Sequence, residues 1–205
     1  MKNIKFIKEN YIRKITPLLK GWSKDKKYIL EDDLGEKYLL RISSEELYDR
    51  KKQQFELLKE IDKLDIIYSK PIEFEKMTDG NVYMILSYLE GEDGIAAVSK
   101  MSDKKAYTLG LEAGIILKKL HQISVPEQEK TWWERYQEKM TKKLNALMNC
   151  EYKLPMQEEL VNYYKENCYL MKNRPLLFVH GDYHLGNMII NNGKIGIIDF
   201  DKLSI

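Results

Sequence analysis

Apolar residues along this chain follow two different periods, and each change of period marks a change of element. Between Ile4 and Ile15 they recur at helical spacing, which predicts an outer amphipathic helix. Leu18–Trp22, Lys27–Glu31 and Lys37–Ile42 then predict three short strands. Gly21 and the polar run Ser23-Lys24-Asp25-Lys26 join the first two. Asp32-Asp33-Leu34-Gly35 joins the next two as a hairpin loop with a glycine for positive φ. In the third strand Tyr38, Leu40 and Ile42 share one face, and Leu39 and Arg41 share the other. Ser43 and Glu46 stand in capping-box register before a helix that runs through Asp49–Ile61, with Leu47, Phe55, Leu58 and Ile61 toward the core. Ile66–Glu75 and Asn81–Leu86 predict a further strand pair around Thr78-Asp79-Gly80.

Helical spacing returns at Tyr107–Gln122, where Leu109, Ala113, Ile116, Leu117 and Leu120 form one stripe and His121 is a structural residue at the C-terminus. Trp132, Trp133, Tyr136 and Met140 lie on the next helix as core, or as the wall of a pocket for a cation. Gln157–Met171 is a third, with Leu160, Tyr163, Tyr164, Asn167 and Cys168 inward. The chain closes on three short strands, Leu176–Val179, Met188–Ile190 and Ile195–Ile198, the last two joined by Asn192-Gly193.

At 205 residues the chain is long enough for one domain or two small lobes. Charged residues make up 32% but are interleaved to a net +2, so neither nucleic acid nor an anionic membrane is expected as a partner. The first ten residues lack a signal-peptide core, and no apolar run approaches the roughly 20 residues of a membrane span. Cys150 and Cys168 stand apart without metal spacing, as reduced thiols of a cytoplasmic protein would.

The chemistry is concentrated in Leu176–Asp201. His180-Gly181-Asp182 follows an apolar stretch, Asn187 comes five residues after Asp182, and Asp199 ends the last strand. His-x-Asp-x-x-x-x-Asn is the spacing of a kinase catalytic loop, which positions a hydroxyl and holds magnesium against a nucleotide. Asp199-Phe200 stands where protein kinases carry Asp-Phe-Gly. In the form HGDxxxxN followed by IDFD, this stretch resembles the aminoglycoside phosphotransferase family. These are small-molecule kinases, related to choline and fructosamine kinases, that share the protein-kinase fold.

The resemblance implies an α+β, bilobal, protein-kinase-like fold. Residues 1–90 would be a nucleotide lobe of antiparallel sheet plus helix, with a hinge at 87–91, and residues 91–205 a mainly helical lobe. Family members continue through further helices, so that lobe is expected to be incomplete, with exposed apolar faces, a tendency to associate, and marginal stability or inactivity. The resemblance also assigns roles. Asp182 takes the proton of the acceptor hydroxyl, Asn187 and Asp199 ligate Mg²⁺, and His180 anchors the loop while His184 meets phosphate or acceptor. Arg41 replaces the usual lysine at the α/β-phosphates, with Glu56 as its ion-pair partner and Glu60 the runner-up. Leu39, Ile189 and Ile198 enclose the base of ATP or GTP, Leu86 is the gatekeeper, and Ser87 and Leu89 are the hinge contacts. Backbone near Ser23 approaches the phosphates. The acceptor is a small-molecule hydroxyl, on an aminoglycoside first, or on a choline-like molecule, sugar or amino sugar.

Two readings from other classes compete. His180-x-Asp182-x-His184 would suit a hydrolase metal site, but only His121 remains among three histidines to complete it. A kinase-like module that binds nucleotide without transferring phosphate is the other.

Overall fold

The computed structural model describes residues 4–19, 24–124 and 130–202. The chain forms two compact units: residues 1–123 with 178–204, and residues 124–177.

In the first unit the helical run from Ile4 is cut short. Helix α1 spans Lys5–Glu9, Tyr11 takes a positive φ of 49°, and strand β1 follows at Lys14–Pro17. The second half of that run is therefore a strand, because pairing with β2 (Lys26–Glu31) outweighs the local helical period; of the predicted strand Leu18–Trp22, residues 20–22 lie outside the described residues. Pro17, which cannot donate to a ladder, is tolerated because β1 is an edge strand. Strand β3 (Lys37–Ser43) comes next, then a 3-10 turn at Glu45–Leu47 and helix α2 (Tyr48–Ile61). The expected capping box is absent: Ser43 ends β3, and its hydroxyl donates to Asp25 at 2.8 Å. Helix α2 buries Phe55, Leu58 and Ile61 as expected, together with Lys51 and Gln54.

The predicted strand Ile66–Glu75 is two strands in different sheets, β4 (Ile67–Tyr68) and β5 (Pro71–Lys76). Strand β6 (Val82–Ser87) is buried along five consecutive residues. One antiparallel sheet runs β1-β2-β3-β6-β5. Its one face packs Leu30, Leu40, Tyr83 and Ile85 against Ile4 and Phe6 of the α1 segment, with Tyr38 and Ile42 alongside. That fixes the alternation in β3, so Leu39 and Arg41 point to the other face. On that side Phe55 of α2 stacks on Phe74 of β5 at 5.7 Å.

Strand β7 (Glu92–Asp93), helix α3 (Gly94–Val98) and helix α4 (Asp103–Leu120) follow. Helix α4 buries Leu109, Ile116 and Leu120, as the stripe predicts.

Helices α5 (Trp132–Met148) and α6 (Gln157–Asn167) make up the second unit. Thr131 and Glu134 form a reciprocal capping box at the start of α5. Its aromatic group is half-buried: Trp132 stacks on Tyr136 at 4.7 Å, and Arg174 sits over the Trp132 ring at 5.2 Å. On α6, Val161 and Gln157 are buried, whereas Leu160 and Tyr163, predicted inward, are exposed.

Leu176–Val179 is not a regular strand. The first unit resumes there and adds β8 (Met188–Asn191) and β9 (Lys194–Ile197). Asn192 and Gly193 both have positive φ, as a two-residue hairpin requires. The second sheet runs β4-β9-β8-β7, with β4 parallel to β9 and the other pairs antiparallel.

Candidate active site

A cavity of about 270 Å³ in the first unit is lined by β3, β6, the segment after β6, and the β8–β9 hairpin. Nine of the predicted residues line it: Leu39, Arg41, Leu86, Ser87, Leu89, Asn187, Ile189, Ile198 and Asp199. The β3–β6 register explains the grouping, since Leu39 lies opposite Leu86. Leu18 and Leu58, expected as strand and core residues rather than as part of the site, add apolar surface. Ser87 and Tyr88 spend their N–H groups on Lys70 and Lys37 carbonyls at 2.9 and 3.3 Å. The Ser87 carbonyl accepts from the Ser69 hydroxyl at 2.6 Å. The Ser23 position lies outside the described residues.

The loop from His180 to Asn187 is fixed from several sides. His180 is buried; its Nε2 bonds to the Ile198 carbonyl at 3.0 Å, and its Nδ1 accepts from the Asp182 N–H at 3.3 Å. Both contacts suit the neutral ring, and burial pushes its pKa down. Asn187 Nδ2 donates to the Asp182 carbonyl at 3.0 Å, and Tyr183 Oη donates to the Ala113 carbonyl of α4 at 2.7 Å. His184 caps the 3-10 turn Leu185–Asn187 through Nδ1, which accepts from the Gly186 N–H at 3.0 Å. Its Nε2 lies 3.7 Å from Asp182 Oδ1. Gly181 has φ +78°, and a Cβ there would lie 2.2 Å from the Lys202 carbonyl oxygen. The position where protein kinases carry arginine admits only glycine here. Lys202, unremarked in the sequence, bonds Asp182 Oδ2 at 3.0 Å. That contact, against an opposing effect of burial, holds the Asp182 carboxyl below the usual range.

Arg41 departs furthest from expectation. Glu56 is not its partner: it is exposed and pairs with Lys59 on its own helix at 3.0 Å. Glu60 is taken by Lys63. The Arg41 guanidinium instead meets aspartates. Its Nε and Nη2 donate to Asp25 Oδ2 at 3.0 and 2.6 Å, Nη2 also donates to Asp201, and Nη1 lies 3.6 Å from Asp199. Lys51 of α2 reaches Asp25 at 2.7 Å and Asp201 at 3.3 Å, and Gln54 Nε2 donates to Asp201 at 3.2 Å. Burial opposes ionisation of Asp25 and Asp201, but Arg41 and Lys51 outweigh it and keep both carboxyls well below the usual range.

Two cations, Arg41 and Lys51, thus face three carboxylates, Asp25, Asp199 and Asp201. Asp199 carries the surplus. Its Oδ1 is buried without a hydrogen-bond partner, its φ is +62°, and burial with the Asp201 charge raises its pKa. A carboxylate oxygen with no hydrogen bond, only an ion-pair contact to Arg41 at 3.6 Å, in a cavity that also holds the Asn187 amide is a donor set that fits a hard divalent cation. Among the described residues, no cluster of three or more His, Cys, Asp or Glu is arranged to hold a metal, so His180-x-Asp182-x-His184 does not form one.

The model of the phosphotransferase enzyme family matches residues 14–205. The chain belongs to that family. No curated protein matches it by sequence. Among solved structures, this phosphotransferase is similar to APH(2")-IIa in a ternary complex with streptomycin and ATP. The TM-score is 0.73 at 20% identity, over 97% of this chain and 69% of that one. ADP-bound APH(2'')-Ib gives 0.72 at 21% identity, again over 97% and 69%. The amicoumacin kinase hAmiN gives 0.62 at 18%, over 96% and 62%. These likenesses show the fold, mixed α+β and kinase-like, and the family makes the chain a small-molecule kinase. Asp25, Lys51, Gln54 and Lys202 are the residues of this phosphotransferase's site that sequence reasoning passed over. Their only local signal was a buried position on an otherwise apolar helix face, for Lys51 and Gln54.

Proposed function

We propose that the chain moves the γ-phosphoryl group of ATP or GTP to a hydroxyl of a small molecule, with an aminoglycoside the first candidate acceptor. Residues 1–90 serve as the nucleotide lobe and 87–91 as its hinge. The base lies among Leu39, Ile189 and Ile198 behind the gatekeeper Leu86, with its edge at the Ser87 carbonyl and Leu89. Arg41 meets the α/β-phosphates. Asn187 and Asp199 would hold Mg²⁺, which when bound neutralises phosphate charge. The hydroxyl oxygen bonds to the γ-phosphorus as the bond to the bridging oxygen breaks, and ADP or GDP leaves. Asp182 orients the hydroxyl and accepts its proton. Most of the acceleration is positioning and charge neutralisation. His180, neutral and buried, holds the loop rather than moving protons, and His184 stands beside Asp182 within reach of an acceptor.

The observation that carries this reading is a tethered Asp182–Asn187 loop whose Asn187 lines the cavity together with Asp199, one oxygen of which has no hydrogen bond. Similar chains lend support for either nucleotide and for a divalent cation: APH(2")-IIa with ATP, APH(2")-IIia with GDP and kanamycin, and hAmiN with AMP-PNP and Ca²⁺. The test is calorimetry of ATP and GTP with Mg²⁺ on the chain and on Asp199→Ala, followed by ADP release with aminoglycosides, choline and amino sugars. Binding lost in Asp199→Ala and release that depends on an aminoglycoside are expected. Binding with no transfer to any acceptor would instead favour a nucleotide-binding module, and no binding by the folded chain would overturn the reading.

A further inference from the structure

The β-strand cation of this site has a carboxylate partner that no sequence pattern points to, and its neighbour on the helix carries the opposite charge from the one expected. Asp25 lies one residue before β2, at the end of the β1–β2 connection. The β2–β3 register sets Lys26 opposite Ile42 and so brings Asp25 beside Ser43, which donates to it at 2.8 Å. From there Asp25 receives two guanidinium donors of Arg41 and the ammonium of Lys51 on one oxygen. The side chains are nearly sealed, with exposures of 4% for Asp25, 5% for Arg41 and 10% for Lys51. So enclosed a carboxylate, with four donors on it, is held rigidly, and in turn fixes the plane of the Arg41 fork. Helix α2 turns no acidic side chain toward Arg41 among the described residues. It presents Lys51 and Gln54, whose contacts are Asp25 and Asp201.

We propose that Asp25 is the positioning residue for Arg41 in nucleotide binding, and that the strand–helix ion pair is inverted in charge. The anion comes from the β1–β2 connection, while the helix supplies a second cation. Lys51 links α2 to the end of that connection and to Asp201 beyond β9. One carboxylate thereby couples the helix, the strand cation and the connection that precedes β2. Asp25 acts through Arg41 and does not itself touch the nucleotide.

This inference rests on the nucleotide reading above, and the experiment separates the two. Magnesium-nucleotide affinity, by calorimetry with ATP and with GTP, is measured on the unaltered chain, on Asp25→Asn, and on the double variant Asp25→Asn with Lys51→Glu, alongside thermal melting of each. Asp25→Asn is expected to weaken binding by roughly tenfold or more, because Arg41 loses the charged acceptor of its Nε and Nη2 and keeps only Asp201 and Asp199. The double variant returns a carboxylate to the helix beside Arg41 and is expected to recover most of that loss. A merely structural Asp25 would change melting without such rescue of affinity. Should Asp25→Asn fail to fold, Asp25→Glu keeps the charge and displaces it by one methylene. It is expected to fold and to weaken nucleotide binding several-fold. Glu56→Gln is expected to bind as the unaltered chain does. Nucleotide bound equally well by folded Asp25→Asn, or by Asp25→Glu where Asp25→Asn does not fold, would overturn the inference alone. So would loss in the double variant equal to that in Asp25→Asn. No binding by the unaltered chain would overturn the nucleotide reading, and the inference with it.

Discussion

Lys202 and Gly181 determine what Asp182 can do. The lysine contact holds the Asp182 carboxyl below its ordinary value, which favours the ionised form that the proposed base needs. Lys202→Met is expected to raise that pKa and to move the acid limb of the kcat/KM profile to higher pH, read from rates at saturating magnesium between pH 4 and 8. Gly181→Ala would force a Cβ against the Lys202 backbone and demand a positive φ of an alanine. Its expected result is a loss of at least about tenfold in kcat/KM from a misplaced Asp182, with nucleotide affinity falling less. The closeness of Asp182, Asn187 and Asp199 was legible in the sequence because their spacing is local: a loop and a hairpin hold them. Asp25 was not, since one aspartate in a polar run becomes a buried anion only through strand register and a helix more than twenty residues away. Glu56 was misread for the same reason. Helical spacing places it near the core boundary, but which residue of a boundary meets a strand is a tertiary matter.

Among the elements, β3 obeyed its alternation fully, and the reason is physical. One face is claimed by the core with Ile4 and Phe6, and that leaves Leu39 and Arg41 for the cavity. The segment before it misled because Ile4–Ile15 satisfies a helical period, although its second half pairs with β2. Helix ends are also testable. The Thr131–Glu134 capping box supplies side-chain acceptors to two backbone N–H groups that the start of α5 would otherwise leave unpaired. Thr131→Ala is expected to cost about 1 kcal/mol locally. Hydrogen exchange should show faster exchange in the first turn of α5 and unchanged protection in β3 and β6.

For the whole molecule, the buried carboxylates set the response to acid. Asp25 and Asp201 have folded pKa values below their unfolded ones, so they contribute stability that is complete above about pH 4 and is lost as pH falls through the folded values. Asp199, raised by burial, has the opposite sign and softens the loss slightly. Urea unfolding is expected to be nearly flat from pH 7 to about 5 and to weaken steeply below about 4. Tyr107, Leu111 and Ile115 form an exposed apolar line along α4. Replacing Leu111 and Ile115 with lysine is expected to leave the melting temperature within a few degrees and to reduce self-association on gel filtration at high concentration.

The parallel pairing of Ile67 with Gly196 joins residues far apart in the sequence, and the second unit is inserted between the two parts of the first. During synthesis the β4 edge must wait for β9, and Arg41 and Lys51 must wait for Asp199 and Asp201. These contacts span long sequence separations, and the maturation of this unit is tied to residues translated more than a hundred positions later. A ribosome paused before the β8–β9 hairpin would carry a sheet whose buried cations still lack two of their carboxylates. That exposed interval is where a chaperone would find the unpaired site of this chain.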